Sequence, residues 1–66
     1  MHITLNGEPE TLDDGATVAG LLRKLKLDPV RVAVELNEDV LTRKTFADTR
    51  IGEGDCVEIV TFVGGG

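Results

Sequence analysis

The first residues of the chain alternate between apolar and polar side chains, as a β-strand with one buried face does. Ile3 to Leu5 follow this pattern, and Asn6-Gly7 comes directly after them. Asn-Gly is a strong hairpin signal, because a type I′ turn needs positive φ at both central residues. The sequence therefore predicts a hairpin whose second strand covers about Glu8 to Leu12. Pro9 cannot donate to a ladder, so that strand is expected at a sheet edge.

The apolar spacing becomes helical after Thr17. Four apolar residues follow at i, i+3, i+4 and i+7, which gives one apolar helix face: Val18, Leu21, Leu22 and Leu25. The Thr17 hydroxyl is placed to cap the first turn. Basic residues gather in the last turns, where they suit the helix dipole: Arg23, Lys24 and Lys26. Pro29 cannot continue the helix, so the helix is expected to end before it.

Two later runs of apolar residues predict further strands. Val30 to Leu36 forms the first, with Val32, Val34 and Leu36 on one face. Val40-Leu41 is at most a short strand, and Thr42 to Arg50 is irregular. We expect Phe46 to anchor that irregular segment in the core. Cys56 to Val63 is rich in β-branched residues and predicts the last strand.

The order strand, strand, helix, strand, short strand, strand predicts an α+β fold. We expect a mixed sheet of four to five strands with one main helix packed on one face. A long apolar edge invites aggregation, so the last strand is placed inside the sheet, parallel to the first. This is the β-grasp arrangement of ubiquitin. We assign residues 1–63 to one domain and residues 64–66 to a flexible glycine tail.

Composition and charge narrow the possible functions. The 66 residues include 7 basic and 12 acidic side chains, for a net charge of −5, and neither Tyr nor Trp. Nucleic-acid binders usually carry a basic patch and stacking aromatics, so a nucleic-acid role is disfavoured. The acidic balance suits a protein partner with a basic docking face, or serves only solubility.

Signals for catalysis or metal binding are missing from the sequence. His2 is the only histidine and Cys56 the only cysteine, so the usual ligands of a zinc site are too few. Cys56 follows Asp55, and a neighbouring carboxylate disfavours a reactive thiolate. A chain this small has little room for a catalytic pocket, and we expect a protein that is not an enzyme. With no apolar run of about 20 residues, no leader segment and one cysteine, we expect it in the cytoplasm.

The most unusual feature is the run of three glycines that follows the last predicted strand, Gly64 to Gly66. One interpretation is a frayed end with no role. The other is functional, because a chain without Cβ atoms can enter a narrow channel and adopt any φ/ψ that a partner requires. A carboxylate on Gly66 could then be adenylated, and a sulfur nucleophile could displace AMP to leave a thiocarboxylate.

The whole chain resembles the ThiS family, the sulfur carriers of bacterial thiamine biosynthesis. The residues that carry the resemblance occur in the family's order and spacing: Ile3 to Gly7, Thr17 to Leu22, Val32 to Asn37, Arg43, Gly54-Asp55, Val57 to Val60 and Phe62 to Gly66. The sequence departs from the family at Gly20, often a glutamate there, and at Thr42, often a proline. Cys56 stands where the family usually has another residue, which favours an incidental role.

The resemblance implies a β-grasp fold and a functional group at the Gly66 carboxylate, with Gly64 and Gly65 as the tail. It implies three partners: a ThiF-type adenylyltransferase, the thiazole synthase ThiG and a cysteine desulfurase system. ATP and magnesium would belong to the activating partner, and this chain would bind no cofactor or metal. Candidate docking residues are Val60, Phe62, Val63 and Arg43, with core packing or a plain surface position as the alternative for each.

Two other functions stay open at this point. The chain could carry sulfur for molybdopterin synthase or for tRNA thiolation, because those carriers share the fold and the terminal diglycine. It could instead be a ubiquitin-like interaction module that binds through its sheet and makes no use of its tail, or a modifier conjugated to lysines.

Overall fold

The structure is a computed structural model that describes residues 1–62. Val63, the glycines 64–66 and the predicted domain boundary between 63 and 64 lie outside the described residues. Within residues 1–62 the chain forms five strands, one α-helix and two 3-10 turns. They are β1 (His2–Leu5), β2 (Glu8–Thr11), α1 (Val18–Lys24), a 3-10 turn (Pro29–Arg31), β3 (Val32–Leu36), β4 (Asp39–Val40), a second 3-10 turn (Arg43–Thr45) and β5 (Cys56–Thr61).

The five strands form one mixed sheet in the order β2-β1-β5-β3-β4. Strands β1 and β5 are parallel, with Thr4 opposite Cys56 and Leu5 opposite Val57. The other neighbouring pairs are antiparallel. The α+β fold and the position of the last strand inside the sheet are therefore confirmed. So is the edge position of β2, the strand that contains Pro9.

The core lies between the helix and one face of the sheet. Helix α1 contributes Val18, Leu21 and Leu22, which are 1% exposed or less. The other buried apolar residues come from the strands and loops: Ile3, Leu12, Val32, Val34, Phe46, Ile51, Val57 and Ile59. Phe46 is thus the core anchor of the irregular segment, as predicted. Among the described residues no polar or charged residue is buried.

The helix begins as the sequence predicts. The Thr17 hydroxyl oxygen accepts a hydrogen bond from the backbone N–H of Gly20, at 3.1 Å. This bond satisfies one of the N–H groups that a first helical turn leaves without a partner. At the other end, Arg23 and Lys24 occupy the last turn. No helix within residues 1–62 is long and apolar enough to cross a membrane.

The third strand begins later than predicted, at Val32 and not at Val30. The Asp28 side chain accepts a hydrogen bond from the backbone N–H of Val30, at 2.9 Å, and so caps the 3-10 turn Pro29–Arg31. Proline at the start of that turn has the φ the turn requires. Val30 is left 64% exposed, so the prediction that it belongs to an apolar strand is wrong.

Three other predicted boundaries shift by one or two residues. Strand β2 ends at Thr11, although Leu12 still donates its N–H to the carbonyl of Met1. The short strand is Asp39–Val40 and not Val40-Leu41. Strand β5 ends at Thr61, and Phe62 lies just beyond it.

Two tight turns hold the hairpins, and both have positive φ at their two central residues. In the first, Asn6 has φ 50° and Gly7 has φ 82°. In the second, Asn37 has φ 51° and Glu38 has φ 74°. This is the type I′ pattern, which matches the twist of the strands it joins. Glu38 occupies a left-handed conformation that costs a residue with a Cβ about 1–2 kcal/mol.

Replacing Glu38 by glycine should therefore stabilise the fold. We expect the Glu38→Gly variant to raise the free energy of unfolding by about 0.5–1 kcal/mol, because glycine's greater freedom in the unfolded chain offsets part of the relief. Urea unfolding measures the difference. The matched control is Gly7→Ala in the other turn, which should lose about 1–2 kcal/mol. An unchanged or lower stability of Glu38→Gly would contradict the argument.

Candidate functional site

Strand β5 leads to the glycine tail, so its surroundings decide how the tail is presented. The strand lies between β1 and β3 and is paired on both sides. Its inward side chains, Val57 and Ile59, are buried in the core. Beyond the end of the strand, the backbone N–H of Phe62 donates to the carbonyl of Arg31 at 2.8 Å. The chain is thus bonded to β3, and to Arg31 directly before it, up to the last described residue.

On the β1 side, the side chain of Asn6 continues the pairing where β1 has turned away. The backbone N–H of Asn6 donates to the carbonyl of Val57 at 2.9 Å. Its side-chain oxygen Oδ1 accepts from the N–H of Ile59 at 2.8 Å, and Nδ2 donates to the Ile59 carbonyl at 3.2 Å. The Asn6 side chain therefore makes the two hydrogen bonds to Ile59 that a further residue of β1 would otherwise make.

Asn37 makes a comparable contact on the β3 side. Its backbone N–H donates to the carbonyl of Cys56 at 2.8 Å, and its Oδ1 accepts from the N–H of Cys56 at 2.9 Å. Its Nδ2 donates to the Asp55 carboxylate at 3.2 Å. Sequence reasoning identified Asn6 only as a turn residue, and it identified neither asparagine as a support of β5. One feature of the sequence could have indicated these contacts: asparagine opens both turns, and its side chain can donate and accept hydrogen bonds at the same time.

The sheet face opposite the helix carries the outward side chains of β5. Glu58 and Val60 point there, and Val60 is 59% exposed. Across the strand pair, Glu35 lies opposite Glu58 and Ala33 lies opposite Val60. On the edge strand, the 74% exposed Val40 pairs with Glu35. We call these outward residues (Ala33, Glu35, Val40, Glu58 and Val60) the open face.

A shallow groove lies beside Phe62, the last described residue. Its lining is Asp28, Val30, Arg31 and Phe62, and its volume is about 350 Å³. Phe62 is 54% exposed. Asp28 Oδ2 lies 3.9 Å from Arg31 Nε, so the groove has apolar walls and one ion pair. Sequence reasoning missed Val30 here, because it assigned that residue to a strand.

The structure places the predicted docking residues in two regions. Val60 and Phe62 lie at the end of β5, both exposed, so core packing does not account for them. Arg43 is exposed at the start of the second 3-10 turn and does not line the groove beside Phe62. Val63, Gly64, Gly65 and Gly66 lie outside the described residues.

The histidine and the cysteine both lie on the surface of the described part of the chain. Within residues 1–62 no group of three or more His, Cys, Asp or Glu residues could hold a metal ion. His2 pairs with Glu53, Nδ1 to Oε2, at 3.5 Å on the surface. The Cys56 thiol is exposed at the start of β5. What the arrangement supplies is a fixed central strand with exposed apolar and acidic side chains near its end.

The comparisons with known proteins agree on one family. A family model described as the ThiS family matches residues 3–66. A sulfur carrier protein ThiS from Thermus thermophilus is 36% identical over 64 residues, covering 97% of this chain and 98% of the relative. A crystal structure of the thiamine biosynthesis protein ThiS from Geobacter metallireducens is 43% identical, with a TM-score of 0.85 and full coverage of both chains.

Some relatives are much longer than this chain. A thiazole synthase from Magnetococcus marinus is 46% identical over 66 residues, and a thiazole synthase from Paramagnetospirillum magneticum is 38% identical over the same length. The whole chain matches in both cases, but it spans only 20% of the length of each of these relatives.

The two opposed carboxylates of the open face give a prediction about stability. Like charges directly opposite each other on neighbouring strands are destabilising, so Glu58→Gln should raise the free energy of unfolding by about 0.2–1 kcal/mol at low salt. High salt should shrink the gain by screening. The matched control is Glu8→Gln, because Glu8 lies opposite Leu5. A gain no larger than the control's would contradict the prediction.

Proposed function

This chain belongs to the ThiS family of sulfur carriers in thiamine biosynthesis, and we propose that the carboxylate of Gly66 is the group that carries the sulfur. The observation that supports this most is the position of β5. The strand that leads to the tail is central in the sheet. It is bonded as far as Ile59 on its β1 side, and on its β3 side the chain is bonded as far as Phe62. A partner that binds the sheet therefore contacts a fixed strand directly before residues 63–66 in the sequence.

The chemistry follows from the poor reactivity of a carboxylate. A Gly66 carboxylate oxygen attacks the α-phosphorus of ATP, pyrophosphate leaves, and an acyl-adenylate forms. A persulfide sulfur then attacks the acyl carbon, AMP leaves, and an acyl disulfide forms. A thiol attacks the donor's sulfur in that disulfide, which breaks the S–S bond, releases the thiocarboxylate and leaves the thiol and the donor joined in a disulfide. In this proposal a ThiF-type adenylyltransferase binds ATP and magnesium, and a cysteine desulfurase system provides the sulfur. The chain itself acts as a co-substrate and binds no cofactor.

We further propose a thiazole synthase as the acceptor of the sulfur. Two proteins of that name contain a region similar to this whole chain within one fifth of their length. Joining two partners in one polypeptide raises their effective concentration, and such fusions are useful for partners that must meet repeatedly. The similarity thus supports an interaction between a carrier of this kind and a thiazole synthase.

Docking is assigned to the end of β5, through Val60 and Phe62, with Val63 and Arg43 as further candidate contacts. Exposed apolar residues near a functional group are suited to be buried by a partner. Glu35 and Glu58 add negative charge to the same open face, and they favour a partner with basic residues at its docking surface.

Mass spectrometry tests the thiocarboxylate directly. The proposal requires Gly66 to be the terminal residue, which the intact mass checks first. After incubation with a ThiF-type enzyme, ATP and a cysteine desulfurase system, the mass should rise by about 16 Da, a shift that oxidation of Met1 or Cys56 would also give. The gain must therefore depend on ATP and localise to Gly66 in the fragment spectrum. An active enzyme that leaves Gly66 unmodified would contradict the proposal.

Deletion of Gly66 separates the tail's chemistry from folding. We expect the shortened protein to unfold at the same urea concentration, because a terminal glycine contributes little to stability. Thiazole formation in a reconstituted system should fall to background. A shortened protein that still supports thiazole formation would refute the carrier mechanism, whereas thiocarboxylate formation without thiazole formation in the full-length protein would indicate a different acceptor.

Charge substitutions test the docking surface. Val60→Asp and Phe62→Asp should each raise the KM for the adenylating enzyme at least about tenfold, because a desolvated carboxylate opposes apolar docking. Val40→Asp is the matched control, since Val40 is even more exposed, at 74%, but lies on the edge strand β4, two strands from β5. Equal effects at all three positions would contradict a docking surface centred on the end of β5.

A further inference from the structure

The tip of the first hairpin carries a reactive dipeptide that the carrier mechanism does not use. Asn6 is followed by Gly7, and both are exposed residues. An asparagine followed by glycine is chemically labile, because the following backbone nitrogen has no side chain beside it to block its approach to the asparagine side chain. We propose that Asn6 is a deamidation site that the fold protects, and that its modification loosens strand β5.

The reaction needs only water and mild base. Hydroxide removes the proton from the Gly7 backbone nitrogen, which attacks carbon Cγ of Asn6. A bond forms between that nitrogen and Cγ, the bond from Cγ to Nδ2 breaks, and the departing nitrogen takes a proton from water and leaves as ammonia. Water then opens the five-membered imide at either carbonyl, which gives aspartate or isoaspartate. No oxidant or reductant is involved.

The folded structure opposes this reaction by holding the side chain elsewhere. The Asn6 amide is bonded at both ends to the backbone of Ile59, through Oδ1 at 2.8 Å and Nδ2 at 3.2 Å. The backbone of Asn6 is also fixed in the left-handed region, with φ 50°, by the turn and by its bond to Val57. Rotating Cγ toward the Gly7 nitrogen requires both side-chain hydrogen bonds to break.

The product cannot restore those contacts. An aspartate carboxylate can still accept from the N–H of Ile59, but it has no hydrogen to donate to the Ile59 carbonyl. Its second oxygen would face that carbonyl oxygen, and two acceptors repel each other. Isoaspartate should disturb the structure more than aspartate does, because it lengthens the main chain at a turn whose geometry sets the hairpin register. Either product therefore weakens the support of β5 on its β1 side.

Asn37, the other asparagine that opens a turn, allows a comparison with Asn6 in the same protein. This residue opens the second turn with nearly the same φ, 51°, and its side chain is also bonded at both ends. Its successor is Glu38, whose side chain crowds the attacking nitrogen. Asn37 should therefore deamidate slowly whether the protein is folded or unfolded. Only Asn6 should respond strongly to unfolding.

The first experiment follows deamidation in the full chain at mildly alkaline pH, folded in buffer and unfolded in urea. Replacement of the side-chain NH2 by OH raises the mass by about 1 Da, and peptide mapping assigns the change to a residue. We expect deamidation at Asn6 to be at least about tenfold slower in the folded protein, which corresponds to a local opening cost of about 1.4 kcal/mol. Equal rates in the two states, or a faster reaction at Asn37 than at Asn6, would overturn the proposal.

The second experiment measures what the modification does to the fold. The Asn6→Asp variant should lower the folded-to-unfolded ratio at least about tenfold at neutral pH. Below about pH 4 a protonated carboxyl regains one O–H that can donate to the Ile59 carbonyl, so the difference from the unmodified protein should shrink there. Asn37→Asp is the comparison, since its new carboxylate would face the exposed Asp55 carboxylate and not a strand carbonyl. High salt should reduce the loss at Asn37 by screening, whereas the loss at Asn6 should persist. A variant as stable as the unmodified protein at neutral pH would refute the loosening of β5.

Discussion

The pairing of β5 between β1 and β3 is the constraint on which the rest of the structure depends. Its parallel contact with β1 joins residues that are about fifty positions apart, with Thr4 opposite Cys56. Such a contact closes a long loop, which costs entropy that other interactions must offset. In return, Val57 and Ile59 enter the core, and no long apolar strand is left at a sheet edge.

The same constraint makes the molecule two-sided. One helix covers one face of the sheet, and the core between them is closed by Phe46 and Ile51 from the loops. The other face has no covering layer within residues 1–62, so Val60 and the opposed pair Glu35 and Glu58 face solvent. For the function we propose, such a face is useful, because a partner can bind it without disturbing the core.

The two asparagine turns link the hairpins to the strand between them. Asn6 and Asn37 each form a turn with the backbone and fix β5 with the side chain. The turn and the strand therefore depend on each other: a change at either asparagine alters the hairpin and the support of β5 together. This is why a residue far from the tail in sequence bears on how the tail is presented.

The sequence by itself determined the local elements and their order. Periodicity located helix α1 and its Thr17 cap, Asn6-Gly7 specified the first turn, and Pro9 indicated an edge strand, because these features depend on neighbours a few residues away. The resemblance to the ThiS family, carried by the order and spacing of many short segments, identified the family.

Only the tertiary structure decided which residues act across long distances. The capping of Val30 by Asp28 shortened β3, because a local hydrogen bond outweighed an apolar side chain's preference for a strand. The groove beside Phe62, the opposed carboxylates and the contacts of Asn6 with Ile59 depend on the register between strands. That register is set by which faces meet in the core, a property of the whole chain that no short segment contains.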